Sequence, residues 1–165
     1  MWSITRIPKQ YTLSGLQRTQ HSIQGFLDDG LEFERLEGRD VICWGSQEGV
    51  KFSEESKNLY LQTVQAWRDG HTNRDVAGGE SPEDVVKRQK LAINRILKRS
   101  HEKLILVCMH GRAIRILMSW ILNYDLQMMD QFPHSNLGLY KLFWTGASFQ
   151  VLQLNDVSHL SEVQS

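Results

Sequence analysis

Three short stretches of the chain hold residues whose types could do chemistry. His110-Gly111 ends the run Lys103 to Met109 and opens a segment of helical spacing. A buried strand that feeds a helix through a small residue puts an imidazole beside the helix's first N–H groups, at the sheet edge where open α/β folds bind ligands. Gly111 lets the backbone turn tightly and approach a ligand, and the helix-start amides with the helix dipole favour an anion such as phosphate. A lone histidine at a strand end is as often satisfied by a neighbouring carbonyl, so context alone leaves His110 open between the two roles.

Glu80 stands one residue before a helix N-cap and behind Gly78 and Gly79, which can shape a loop over a pocket. A carboxylate there also simply complements the helix dipole. Arg18 lies near the start of an earlier helix; its planar fork suits bidentate contact with phosphate oxygens, although an arginine on a polar helix face is usually solvated. His21, His71, His101, His134 and His159 form no H-E-x-x-H and no paired ligand spacing. Walker A and G-x-G-x-x-G patterns are absent too, so neither metal nor cofactor is expected.

These residues need elements to position them. From Ser14 the apolar residues Leu16, Ile23, Phe26 and Leu27 predict a helix stopped by Asp28-Asp29-Gly30, and residues 31–51 read as an irregular loop. A second helix is predicted from about Ser53 to Gly70, with Leu59, Tyr60, Thr63, Val64 and Trp67 inward. Gly79-Glu-Ser-Pro82 starts a third, with Ser81 as N-cap, Pro82 at the first helical position and an inner face of Val85, Val86, Gln89, Ala92, Ile93, Ile96 and Leu97. It should end near Arg99, and Lys87, Arg88, Lys90, Arg95, Lys98 and Arg99 read as its solvated face. Lys103 to Met109 reads as a strand buried on both faces of a parallel sheet, Arg112 to about Asn123 as a helix, and Leu137 to Trp144 with Ala147 to Leu154 as a hairpin. The order α, loop, α, α, β, α, β, β implies an α/β class or three-layer sandwich.

The chain's 165 residues suffice for one core, and 19 basic against 19 acidic residues leave no surplus field to draw it onto nucleic acid or an anionic membrane. Two cysteines, Cys43 and Cys108, exclude a disulfide framework. No stretch is as long as a membrane span and Met1 to Gln10 has no signal-peptide segment, so a cytoplasmic location is expected.

Taken together, Leu16-Gln-Arg-Thr-Gln20, Trp44-Gly-Ser-Gln-Glu-Gly49, Gly79-Glu-Ser-Pro82 and Val107-Cys-Met-His-Gly-Arg112 resemble, in order and spacing, the motifs of the histidine phosphatase superfamily, also called phosphoglycerate-mutase-like. The resemblance runs from about Tyr11 to Leu160, leaving residues 1–10 unmatched ahead of a domain over 11–165. It implies phosphoryl transfer from a small phosphorylated substrate: a histidine attacks phosphorus, a carboxylic acid protonates the leaving oxygen, and water completes hydrolysis. By resemblance Glu80 is the proton donor, His110 and Arg18 hold the phosphoryl group, and Gly111 permits its close approach. One element departs from the pattern. The family's nucleophile sits in an Arg-His-Gly on the first, central strand, and only seventeen residues precede Arg18, none of them histidine. The expectation is therefore a truncated phosphoglycerate-mutase-like fold lacking that strand, with open ladder edges and greatly reduced or absent turnover. A non-catalytic phosphoryl-binding or interaction module is the second reading, and a misassigned start or frameshift the third. Trp44, Glu48, His134 and Asn136 are candidates for the pocket rim.

Overall fold

The structure, a computed structural model, describes residues 11–13, 24–30, 33–35, 41–51, 53–76, 78–99 and 103–164. Residues 1–10 and most of the predicted first helix, Arg18 and His21 included, lie outside the described residues, as does His101. The elements in chain order are β1 (Tyr11–Leu13), α1 (Gln24–Asp28), β2 (Phe33–Arg35), α2 (Glu54–Arg68), α3 (Pro82–Leu97), β3 (Leu106–Val107), α4 (Gly111–Ile121), β4 (Leu139–Trp144) and β5 (Phe149–Asp156). Short 3-10 turns occupy Gly45–Gln47, Leu126–Gln131 and Ser158–Gln164. This is a mixed α/β fold, as the pattern of elements implied.

The two long helices begin where the sequence marks them. Ser53 and Ser81 each accept from the N3 amide while the N3 side chain, Ser56 or Asp84, reaches back to the cap amide, giving two capping boxes. Pro82 opens α3, where its missing N–H costs nothing. From α2, Val64 and Trp67 enter the core, where they meet Ile42, Val85 and Val86, Ile116 of α4, and Met129. Gln89 lies wholly inside and joins two helices, donating to Ala113 O at 2.8 Å and accepting from Trp120 Nε1 at 2.8 Å. Both halves of its amide are thus satisfied, as a buried polar group requires.

The sheet is in two pieces. β2, β1 and β3 form a parallel ladder in that order, Tyr11 opposite Phe33 on one side and Leu106 on the other. β4 and β5 pair antiparallel as a separate ribbon, turning through Gly146 at φ 97°. Three sequence expectations change here. The loop over 31–51 contains β2, a short strand whose Glu34 is pinned by Arg95 at 2.7 Å and by Arg99, so a carboxylate that reads as loop is held in ion pairs. The same contacts remove Arg99 from the solvated face assigned to it, while Arg95 stays exposed, as expected, and reaches Glu34 from solvent. The apolar run Lys103 to Met109 yields only the two-residue β3, half-buried and paired, among the described residues, on one side. Most of the run lies outside the ladder formed by the described residues, and Leu104 is exposed.

Candidate functional site

His110 sits at the end of the β3 segment as the N-cap of α4, with extended backbone (φ −104°, ψ 154°) and no side-chain capping hydrogen bond. Its carbonyl accepts from Ile114 N at 2.8 Å, closing the first helical turn. The amides of that turn have no intrahelical acceptor by helix geometry, and the dipole concentrates partial positive charge there. Gly111, the first residue of α4, lies under the ring of His134: a Cβ at 111 would stand 2.6 Å from both Cδ2 and Nε2. The close approach expected at Gly111 is thus used by a neighbouring imidazole. Burial holds the pKa of His134 below the ordinary histidine value, and the positive charge of Arg115 adds to the effect.

Glu80 is built into a second segment. Gly79 packs so tightly that a Cβ would stand 2.4 Å from Cys43 O and 2.8 Å from Gly45 N, which fixes this position as glycine. The loop then exchanges a pair of bonds with the chain beside it: Glu80 N donates to Cys43 O and Cys43 N to Glu80 Oε2, both at 2.9 Å. Arg88, two turns along α3, grips the same carboxylate with Nε on Oε1 at 2.7 Å and Nη2 on Oε2 at 2.9 Å. It also donates to Val41 O at 3.2 Å. Arg88 therefore leaves the solvated face to which its sequence context assigned it. The signal was present: Arg88 falls three residues after Val85 and four before Ala92, both buried, so its stem had to lie on the packed side.

An aromatic cluster links the two segments. Trp44, next to Cys43, meets Tyr60 and Trp67 of α2 with ring centroids 5.0 and 5.7 Å apart. Arg112, next to Gly111, lies 5.7 Å from the Trp67 ring. Tyr60, expected inward, is exposed, and its hydroxyl meets Arg112 at 3.4 Å. Glu48, a candidate rim residue, is exposed and accepts from Trp44 N at 3.0 Å, bracing its own loop. Asp130 was not anticipated: it gathers Arg68, Arg112 and Arg115 about one carboxylate. A pair of arginines at i, i+3 in the otherwise apolar α4 was the available clue.

Helix-start amides beside an imidazole at the end of a parallel strand define a site class suited to anions. A family model for the histidine phosphatase superfamily (branch 1) matches residues 3–157, and the chain belongs to that superfamily. Solved structures agree on the fold. YhfR of Bacillus stearothermophilus superposes with a TM-score of 0.79 at 21% identity, covering 96% of this chain and 78% of that one. The α-ribazole phosphatase of Shigella flexneri gives 0.75 at 17% identity, with 90% and 73% covered. A phosphoserine phosphatase variant of Entamoeba histolytica, solved with phosphoserine, gives 0.75 at 21% identity, with 91% and 75% covered. No curated protein matches the chain. No described helix is long and apolar enough to cross a membrane, and no group of three metal-ligating side chains occurs among the described residues.

Proposed function

We propose that the chain binds the phosphoryl group of a small cytoplasmic phosphomonoester at the start of α4, with His110 and Arg18 as its cationic or donor side chains and the backbone amide of Gly111 among its helix-start donors. The observation that carries this reading is His110 at the N-cap of α4, on the strand-to-helix junction of a chain matched to the histidine phosphatase superfamily. Helix-start amides supply preorganised donors to the spread phosphoryl oxygens, and an imidazole beside them adds a directed N–H.

Turnover is a separate matter. The 165 residues contain no Arg-His-Gly, so no histidine stands in the family's nucleophile motif. Glu80, the proton donor by resemblance, accepts three hydrogen bonds, two of them from a guanidinium, so both carboxylate oxygens are engaged by the chain itself. To reach a leaving oxygen it would have to give up part of that grip. Both features support recognition with little or no phosphohistidine turnover by these 165 residues. The test is p-nitrophenyl phosphate release by the purified chain beside calorimetric titration with inorganic phosphate. Heat of binding without release above the buffer rate is expected. Enzyme-like release abolished by His110→Ala would refute the non-catalytic assignment, and absence of both heat and release would refute the site.

A further inference from the structure

Away from His110 and Glu80, neither of which lines it, a groove of about 470 Å³ opens between α2, α4 and the Leu126–Gln131 turn. Three guanidiniums meet there on one carboxylate. Arg68 Nε lies 3.0 Å from Asp130 Oδ2, Arg115 Nη1 lies 3.4 Å from Oδ1, and Arg112 Nη1 pairs with the same Oδ1. Asp130 is the only acidic residue among the groove's lining residues, so three positive charges face a single negative one. The imbalance is not simply diluted by water: the side chains of Arg112, Arg115 and Asp130 are 12%, 28% and 14% exposed. Like charges held close with restricted hydration repel, and the repulsion is relieved by an anion. A donor is also left over, since Arg115 Nε is buried and makes no hydrogen bond among the described residues.

The opposite wall is of another character. Tyr60 and Leu61 are about half exposed and line the groove beside Val64. A ligand that satisfies both walls is an oxyanion carried on an apolar or aromatic body. We propose that this groove is a second binding site, for an organic dianion, with Arg68, Arg112 and Arg115 as donors and Tyr60 and Leu61 as the apolar wall. Two negative charges match the excess, and guanidinium forks suit tetrahedral oxyanions. Arg68, with its side chain 53% exposed, is the arm that reaches the ligand from solvent.

The test uses the full chain carrying His110→Ala, so that the phosphoryl site is removed, with phenylphosphonate as a non-hydrolysable probe and calorimetry as the readout. Binding should persist in this background. Adding Arg68→Gln should weaken it about tenfold, the scale of one charge-assisted contact. Adding Asp130→Asn should tighten it, because the competing carboxylate is gone; a merely structural role for Asp130 gives the opposite sign. Benzoate, a monoanion, should bind more weakly than phenylphosphonate. Should His110→Ala fail to fold, Arg68→Gln in the wild-type background should weaken one of two binding events about tenfold and leave the other unchanged. Loss of all phenylphosphonate binding in folded His110→Ala, an unchanged affinity in Arg68→Gln, or benzoate binding as tightly as the phosphonate would each overturn the proposal. The first of those outcomes leaves the phosphoryl site at His110 standing, so the two assignments fail separately.

Discussion

Replacing Gly111 with alanine tests how the start of α4 is packed. The backbone raises no objection: Gly111 is the first residue of a helix and is not among the glycines with positive φ, so alanine adopts its conformation without strain. Intrinsic preference even favours the change, since alanine is better than glycine within a helix by up to about 1 kcal/mol. Against this stands the His134 ring, with Cδ2 and Nε2 each 2.6 Å from where the new methyl group would lie. Contacts that short do not persist, so the ring or the helix must move, and overpacking of this kind costs about 1–3 kcal/mol. His134 Nδ1 is buried and makes no hydrogen bond among the described residues, and pushing the ring outward would hydrate it, which returns part of that cost. The net expectation is a loss of about 1 kcal/mol for Gly111→Ala. In a His134→Ala background the obstacle is gone, and the same substitution should be neutral or stabilising. Urea unfolding of the four proteins measures the coupling directly. Gly111→Ala that leaves stability unchanged or raised with His134 present would refute the assigned packing.

Other expectations follow from the same contacts. Arg88→Ala should destabilise the fold by about 1–3 kcal/mol in chemical unfolding, because it leaves a partly buried Glu80 carboxylate with one donor in place of three. Ser81→Ala removes the cap of α3 and should cost about 1 kcal/mol. Hydrogen bonds from Lys87 and Ser81 hold the Asp84 pKa down to about 2 from 3.8, so its stabilising contribution is present above pH 3.8 and lost as pH falls towards 2. Asp84→Asn should flatten the stability profile over that window. For His134 the sign is the same but the window higher: its folded-state pKa is lowered from 6.5, so the unfolded chain binds the proton more readily and stability falls as pH drops below 6.5. His134→Gln should reduce that slope. The β4–β5 ribbon exposes Leu139, Phe143, Val151, Leu152 and Leu154, so sedimentation should show self-association with rising concentration, diminished in Phe143→Thr with Leu152→Thr.

How far the sequence could be read depended on whether a signal was local. Ser53, Ser81 and Pro82 mark helix starts through chemistry completed within four residues, and both capping boxes stand where these residues placed them. The strand-to-helix junction at His110 was legible for the same reason. Pairings across the chain were not. Glu34 meets Arg95 and Arg99 over more than sixty residues of sequence (Arg99 lies 65 away), so charges that read as loop and solvated helix are a clamp on β2. Arg88 hides in the same way, as a basic residue among basic residues whose partner, Glu80, lies outside its helix. Asp130 carries no motif at all; only the fold brings the Leu126–Gln131 turn against α4 and gives that carboxylate its three arginines. Arg18 belongs to a quoted motif, but its placement lies outside the described residues.

The most direct measurement of the central claim is a titration of inorganic phosphate followed through the amide signals of Gly111, Arg112 and Ala113 by nuclear magnetic resonance. Saturable shifts at these three amides, lost in folded His110→Ala, are the expected result. Signals that stay still as phosphate is added, or that move equally when His110 is absent, would contradict a phosphoryl site at the start of α4.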